Sequence, residues 1–233
     1  MSLIRRALII GSPDAGIPGV RIDMRNWQNF LTSDTAGAWE RTEIQVLENP
    51  TKALLSVALY KLNISVDYAF IAFSGHGEVN QIGQTVIHIN DRESMPANAL
   101  RGESLKQSIV IDCCRVPIVR KALVESSLTR IMAMDGITNR ALLRRKFDNS
   151  IADCDPGLVR LYSCSIGQTA GESEQFGGYY SYSLMNSALP VSGVKSIKEV
   201  HQQATAKVAQ LNPNQTPTGE FSRSRSSFAF SVS

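Results

Sequence analysis

The fold of this chain is decided by two segments, Tyr68-Ala-Phe-Ile-Ala-Phe-Ser-Gly-His-Gly77 and Ser108-Ile-Val-Ile-Asp-Cys-Cys-Arg115. Each is a continuous apolar run that ends in chemically active side chains. Such runs are typical of strands that are covered on both faces, as in a parallel sheet. Because parallel strands end at one edge of the sheet, we expect His76 and the cysteine pair to meet there. A thiol beside an imidazole is the minimum machinery for nucleophilic thiol catalysis.

The composition is that of a globular protein and points away from several classes of partner. Hydrophobic residues make up 43% and charged residues 19% of the 233 residues. A formal charge of +3 is too small to indicate nucleic acid or an anionic membrane as a partner. No apolar run reaches the roughly 18 residues that cross a bilayer. The four cysteines have no regular spacing, which favours a reducing compartment over a disulfide framework. We therefore predict a soluble, cytoplasmic protein without nucleic-acid or membrane partners.

Short apolar runs alternate with longer amphipathic stretches along the chain. This alternation predicts an α/β fold with a mainly parallel central sheet and helices on both faces. The predicted strands are Ala7–Ile10, Glu43–Leu47, Tyr68–Phe73, Thr85–Ile89, Ser108–Ile111 and Val159–Ser163, with Phe228–Phe230 as a last edge strand. The predicted helices are Asp23–Leu31, Lys52–Leu62 with Thr51 as its N-cap, Ser181–Ala188 and Ile197–Leu211.

Two segments break the alternation. Val116–Pro156 is long and basic, and we predict a flexible connector with some helix, because long structureless loops are uncommon inside a compact domain. Asn212–Arg225 is rich in Asn, Pro, Ser and Thr and is predicted to be a loop.

The residues around the imidazole and the thiols suit acyl-transfer chemistry. A cysteine acts as a nucleophile only as the thiolate, so it needs a proton acceptor such as His76 nearby. Glycines flank His76 and allow a tight turn and close approach of a substrate backbone. The N–H of Gly77, together with that of the nucleophilic cysteine, is a candidate oxyanion hole. Asp112 precedes Cys114 by two residues and so lies on the same face of an extended strand.

Ordinary structural explanations also exist for each segment. A histidine between glycines is often a plain loop residue, and a cysteine at a strand end is often inert core. Either segment alone is weak evidence, whereas the two together favour catalysis. The residues alone leave both Cys113 and Cys114 as candidate nucleophiles, although their side chains should point to opposite faces.

The motifs Ser74-Gly75-His76-Gly77 and Asp112-Cys113-Cys114-Arg115 resemble those of the caspase and metacaspase group of cysteine peptidases. Further segments similar to that group are Ala7–Gly11 followed by Ile17–Asp23, Tyr162–Glu172 followed by Gly177–Tyr182, and Gln215-Thr-Pro217. The resemblance covers nearly the whole chain. It implies a caspase-like three-layer sandwich in one domain, with a p20-like part (1–118), a flexible connector (119–156) and a p10-like part (157–233).

The resemblance also assigns roles to individual residues. Cys114 would be the nucleophile and His76 the proton shuttle, with the N–H groups of Gly77 and Cys114 as the oxyanion hole. Asp112 and Asp23 would line the S1 pocket and select a basic P1 residue, Arg above Lys. Two carboxylates suit a guanidinium, which bonds them in fork geometry. A plain alternative for Asp23 is a charge near a helix N-terminus, favoured by the helix dipole.

The chain departs from the metacaspase pattern in two ways. The two acidic residues that follow the small-subunit cysteine in that group are Ile166 and Gly167 here, which argues against an auxiliary pocket at this point. Asp91 and Glu93 are the few hard oxygen ligands near the expected calcium positions. We therefore expect no cofactor, no metal and no calcium dependence.

The connector carries a basic cluster, Arg140, Arg144, Arg145 and Lys146, which an enzyme that cuts after basic residues would recognise as a processing site. A solvated helix face is the plainer explanation. By family analogy we expect a zymogen-like effector in antiviral defence or cell death, activated by an upstream protease or signalling protein and acting on protein or peptide substrates with a basic P1 residue. Two alternatives remain: a catalytically silent scaffold of the same fold, and another thiol hydrolase or acyl transferase.

Overall fold

The computed structural model describes residues 3–14, 16–62, 65–117, 139–189, 193–222 and 227–233. Within them the helices are α1 (Gly19–Thr32), α2 (Lys52–Lys61), α3 (Arg140–Ala152), α4 (Tyr179–Ser187) and α5 (Ile197–Leu211). The strands are β1 (Arg5–Ser12), β2 (Ile44–Glu48), β3 (Tyr68–Gly75), β4 (Gly77–Val79), β5 (Thr85–His88), β6 (Ser94–Pro96), β7 (Lys106–Asp112), β8 (Gly157–Tyr162), β9 (Glu172–Ser173), β10 (Gly177–Gly178), β11 (Val194–Ser196), β12 (Thr218–Phe221) and β13 (Ala229–Val232). Two short 3₁₀ turns, Arg41–Glu43 and Ala97–Leu100, complete the elements.

A six-stranded sheet forms the centre of the protein, in the order β12-β8-β7-β3-β1-β2. All neighbouring pairs are parallel except β12 with β8. The register pairs Ser74 of β3 with Asp112 of β7. As the apolar runs predicted, β1, β3 and β7 are buried along most of their length.

Apolar side chains cover both faces of the sheet, which confirms the predicted sandwich. On one face, Trp27 of α1, Phe147 of α3, Leu184 of α4 and Val200 of α5 belong to a single buried cluster. On the other face, α2 contributes Leu55, Ala58 and Leu59 to a second cluster. The predicted N-cap of α2 is present, because the Thr51 hydroxyl accepts a hydrogen bond from the Leu54 N–H at 3.2 Å.

Two predicted strands and one predicted loop take places in the sheets that the sequence pattern does not specify. The Thr85–Ile89 run forms β5 of a small antiparallel sheet with β4 and β6, outside the central sheet. The predicted tail loop contains β12, which pairs with β8 and forms an edge of the central sheet. The C-terminal run forms β13, which pairs with β11 instead of the central sheet. Short apolar runs specify a strand but not its partner, since strand preference depends on the packing around the strand.

The second part of the predicted connector contains the expected helix, α3, which is packed on the core and not flexible. Leu143, Phe147 and Ile151 of this helix are buried in the core. Its Arg144 pairs with Glu43, donating from Nη1 to Oε2 at 2.9 Å. Residues 118–138, the larger part of the connector, lie outside the described residues.

Candidate active site

Parallel strands β3 and β7 bring the two diagnostic segments to the same edge of the sheet. His76 follows Ser74 by two residues and Cys114 follows Asp112 by two residues, so both side chains come just after the last paired positions of β3 and β7. Gly77 lies directly against the cysteines, since a Cβ built on it would fall 2.4 Å from Cys113 Sγ. Only a residue without a side chain therefore allows this contact.

The two cysteines occupy different environments, as strand alternation predicts. Cys113 packs into the cluster of the α2 face, beside Ile109 and Ile111. Burial, together with the neighbouring thiols, raises the pKa of Cys113 well above its ordinary value, so its thiolate is disfavoured. The side chain of Cys114 lies in a cleft together with Asp112 and Asp23. Its Sγ accepts a hydrogen bond from the Ala170 N–H at 3.3 Å.

Asp23 and Asp112 form a buried carboxylate pair beside the thiol. Asp23 is 1% exposed and Asp112 is 5% exposed. Asp23 accepts hydrogen bonds from the Ser74 hydroxyl at 2.6 Å and from the Gly178 N–H at 2.9 Å. Asp112 Oδ2 accepts from the N–H and the hydroxyl of Ser181, at 3.0 and 2.7 Å. These contacts hold both carboxyl groups in fixed positions at the floor of the cleft.

The electrostatics of this pair are unfavourable in the free protein. Burial raises the pKa of Asp23 well above its ordinary value, and the neighbouring charge of Asp112 raises it further. Burial also raises the pKa of Asp112, although its hydrogen bonds from Ser181 oppose the effect. In the part of the chain that the structure describes, neither carboxylate forms an ion pair with Lys or Arg. The helix-dipole explanation of Asp23 does not apply, because this residue lies past the first turn of α1 and is buried.

A third carboxylate, Glu172, also lines the cleft and was not predicted as a site residue. Its charge contributes to the raised pKa of Asp23. The antiparallel pairing of β9 with β10 places Glu172 opposite Gly178, which contacts both aspartates. Sequence held only the weak signal that an acid ends the Tyr162–Glu172 segment, because the β9–β10 pairing that places it is not visible in a linear pattern.

A sequence model of the family described as "Caspase domain" matches residues 4–229. The chain belongs to the caspase domain family. It is therefore a caspase-like cysteine peptidase domain, a class whose substrates are proteins. The structure is similar to that of caspase-1 from Spodoptera frugiperda, with a TM-score of 0.61, 12% sequence identity and coverage of 94% of this chain and 86% of that chain. At this identity the likeness shows the fold alone. A search of curated proteins found no match to the chain.

The imidazole of this caspase domain is held by a carboxylate. His76 Nε2 lies 2.7 Å from Asp14 Oδ2, just beyond the end of β1. The His76 ring also makes an edge contact with His88, with centroids 6.5 Å apart. Sequence reasoning missed Asp14, since the loop that carries it shows no periodic pattern.

The residues of the predicted processing site lie in a packed helix and not in a loop. Arg140, Arg144, Arg145 and Lys146 all lie on α3. Arg140 pairs with Asp34 at 3.1 Å, whereas Arg145 is exposed. A protease would have to unfold this helix locally before cutting there. The processing site itself stays a prediction.

Among the described residues, no group of three or more His, Cys, Asp and Glu side chains is arranged to hold a metal ion. Asp91 pairs with its neighbour Arg92, and Glu93 accepts from the side-chain amide of Asn90. No described helix combines the length and the apolar character that crossing a bilayer requires.

The Gln215-Thr-Pro217 motif holds the loop that contacts the thiol. Gln215 is 1% exposed, and its amide nitrogen donates to the Ser163 carbonyl at 2.9 Å. Its amide oxygen accepts from the Gly171 N–H, also at 2.9 Å. Gly171 follows Ala170, the residue bonded to Cys114 Sγ. The Gln215 side chain thus joins the end of β8 to the wall of the cleft.

We expect Gln215→Ala to lower both stability and activity, because it leaves the Gly171 N–H and the Ser163 carbonyl without their partner. The expected loss of unfolding free energy is about 1–3 kcal/mol, as for other buried polar groups left unpaired. Displacement of Ala170 should reduce kcat about 10-fold. Denaturant titration and peptide hydrolysis measure the two effects, with Asn214→Ala, an exposed neighbour, as the control. Unchanged kcat per folded molecule would show that the motif does not position the site.

Proposed function

We propose that this caspase domain is a cysteine endopeptidase that cleaves after basic P1 residues, Arg above Lys. The observation that carries the proposal is the buried Asp23–Asp112 pair in the same cleft as Cys114. A P1 guanidinium would neutralise two carboxylates that otherwise repel each other in a desolvated site. An aspartate at P1 would add a further negative charge there and is disfavoured.

In the proposed reaction, His76 takes the Cys114 proton and Sγ attacks the scissile carbonyl carbon. The N–H groups of Gly77 and Cys114 bond the resulting oxyanion. As the tetrahedral intermediate collapses, the C–N bond breaks and the amine leaves with the proton from His76. His76 then takes a proton from water, whose oxygen attacks the thioester. Cleavage of the C–S bond releases the carboxylate product and restores Cys114.

Geometry supports Arg above Lys at P1. The two aspartates are fixed from different sides, Asp23 by Ser74 and Gly178, and Asp112 by Ser181. A planar guanidinium offers five donors in fixed directions, whereas an ammonium is a compact point charge. The longer, planar group is better suited to bond both carboxylates at once.

A panel of fluorogenic peptides that differ only in P1 tests the proposal. We expect kcat/KM to decrease in the order Arg, Lys, Ala, Asp, with Arg above Ala by at least about 100-fold, the worth of two charge-assisted hydrogen bonds. A preference for Asp at P1 would contradict the assignment of Asp23 and Asp112 to the S1 pocket. It would not contradict the thiol mechanism. Turnover of none of the peptides would favour the scaffold, and transfer to added amines in preference to water would favour an acyl transferase.

We further propose that the domain acts in the cytoplasm as a zymogen-like effector of defence or cell death, activated by a separate protease or signalling protein. The support is family analogy together with the basic residues of α3. Because α3 packs on the core through Phe147 and pairs with Glu43, cutting within it would release an element that stabilises the sheet. Activation by such a cut would therefore involve a change in packing.

A further inference from the structure

We propose that Asp14 is a positioning residue that fixes the tautomer of His76, keeping the proton on Nε2 and leaving Nδ1 to exchange a proton with the thiol. This inference rests on the proposed function, because it gives His76 the role of proton acceptor. The observation behind it, the 2.7 Å contact between His76 Nε2 and Asp14 Oδ2, does not depend on the proposed function.

The loop itself orients Asp14. Its Oδ1 accepts a hydrogen bond from the Gly16 N–H at 2.7 Å, which directs Oδ2 at the imidazole. Burial alone would raise the pKa of Asp14, but the Gly16 hydrogen bond and the charge of His76 outweigh it and lower the pKa. Asp14 is therefore ionised at neutral pH.

The protonation state of Asp14 decides that of the ring. An ionised carboxylate only accepts hydrogen bonds, so the His76 nitrogen that contacts it must carry the hydrogen. In a neutral imidazole the other nitrogen, Nδ1, is then the base. When His76 gains the thiol proton, the same carboxylate stabilises the imidazolium.

Other charged groups near His76 are less suited to this role. The His88 ring makes only an edge contact with the His76 ring, and its Nε2 lies 3.6 Å from Glu78. His76 lines a second pocket, distinct from the cleft of Cys114, and its charged or titratable neighbours there are Asp14, His88, Asp91, Arg92 and Glu93. The next residue, Gly77, lies against Cys113 and the Cys114 carbonyl. Of the carboxylates in the second pocket, Asp91 pairs with Arg92, and Glu93 is bonded to Asn90 and to the Lys52 N–H.

Two substitutions separate tautomer control from a merely structural role. Asp14→Asn is nearly isosteric and keeps an oxygen for the Gly16 N–H, so its amide NH₂ faces His76. That donor forces Nε2 to accept and moves the ring proton to Nδ1, the wrong nitrogen for catalysis. Asp14→Ala removes the partner and leaves both tautomers accessible. A structural role predicts that Asn is the milder change, whereas tautomer control predicts that Asn is the more damaging one.

We expect kcat on an Arg-P1 peptide to fall in the order wild type, Asp14→Ala, Asp14→Asn, with KM little changed. The Asn variant should lie about 10-fold or more below the Ala variant. This is less than the loss of about 10⁴-fold for a buried triad aspartate, because the Asp14 side chain is 52% exposed. Equal or higher activity of Asp14→Asn relative to Asp14→Ala would overturn the proposal. A rise above wild type in either variant would also overturn it, since Asp14 would then be restraining His76.

A second measurement does not depend on turnover. Long-range ¹H–¹⁵N NMR of the Cys114→Ala protein reports the tautomer of each of the three histidines, and a His76→Gln spectrum assigns the His76 signals. We expect the Nε2–H tautomer with Asp14 and the Nδ1–H tautomer in Asp14→Asn. An Nδ1–H tautomer in the presence of Asp14 would overturn the inference. If the wild type cleaves no peptide while the tautomer changes as expected, the proposed function fails and the positioning contact stands.

Discussion

Replacing Cys114 with alanine is expected to abolish peptide hydrolysis, whereas replacing Cys113 with alanine is expected to leave most of it. Loss of a catalytic nucleophile lowers kcat by at least about 10³-fold in enzymes of this kind. Cys114 lies in the cleft with Asp23 and Asp112, and its Sγ accepts a hydrogen bond from the Ala170 N–H. Cys113 packs among the apolar residues of the α2 face, and burial raises its pKa. The measurement is kcat/KM on an Arg-P1 peptide for each purified variant.

Cys113→Ala is the matched control because it removes one sulfur from the adjacent position. It leaves a small cavity beside Gly77, so its stability should fall by roughly 1 kcal/mol or more, and activity should be compared per folded molecule. If Cys113→Ala is inactive while Cys114→Ala is active, the nucleophile is Cys113 and not Cys114.

A gel of wild type and Cys114→Ala, each 25.5 kDa when intact, tests self-cleavage under active conditions. Fragments from the wild type alone would indicate autolysis, and two intact bands would exclude it.

Replacing Asp112 with asparagine is expected to remove the preference for arginine at P1 while stabilising the free protein at neutral pH. Losing the charged partner of a guanidinium should lower kcat/KM on Arg-P1 peptides by about 100-fold. Ala-P1 peptides should change little. The oxygen of the asparagine amide can still accept both hydrogen bonds from Ser181, so the fold of the pocket is retained.

The expected change in stability follows from the sign of the pKa shift. Burial raises the pKa of Asp112, and burial together with the charge of Asp112 raises that of Asp23. The folded state therefore binds protons more tightly than the unfolded state. The contribution of these two carboxyl groups to the free energy of unfolding is complete below the usual aspartate pKa of about 3.9. It is lost as the pH rises through their raised pKa values. Asp112→Asn removes this loss, so its melting temperature should exceed that of the wild type at pH 7 and approach it as the pH falls toward 4.

Asp153→Asn is a matched control for this experiment, since Asp153 is an exposed carboxylate at the end of α3. It should change neither P1 preference nor the pH dependence of melting. A fall in melting temperature for Asp112→Asn at pH 7 would show that the ionised pair does not destabilise the pocket. An unchanged Arg preference would remove Asp112 from the S1 pocket.

Much of the site was predictable because it lies at the ends of two buried strands. The apolar runs before His76 and Cys114 specify β3 and β7, and parallel pairing brings their ends together. The two-residue period along β7 also separates Cys113 from Cys114 and places Asp112 on the Cys114 side. Asp23 was predictable only through the family resemblance, since its position in α1 shows no pattern that points to a pocket.

The strand partners of the smaller elements were not predictable. β13 pairs with β11, which is distant in sequence, whereas β5 pairs with its sequence neighbours β4 and β6. The pattern of a short run specifies neither partner. Some helix was predicted in the connector, but the packing of Arg140–Ala152 on the core was not, because its basic residues obscure the buried row of Leu143, Phe147 and Ile151.

Sequence by itself determined the buried parallel strands β1, β3 and β7, the imidazole and the thiols, because strand burial and alternation are local properties of the chain. Only the tertiary structure decided what surrounds them. It brought Glu172 beside Asp23, joined Gln215 to the loop of Ala170, and placed Asp14 against His76. Each of these contacts joins loops or strands far apart in sequence, and charge and hydrogen bonding act through distance in space. The two segments of the candidate site were therefore visible in the sequence, whereas the groups that surround them were not.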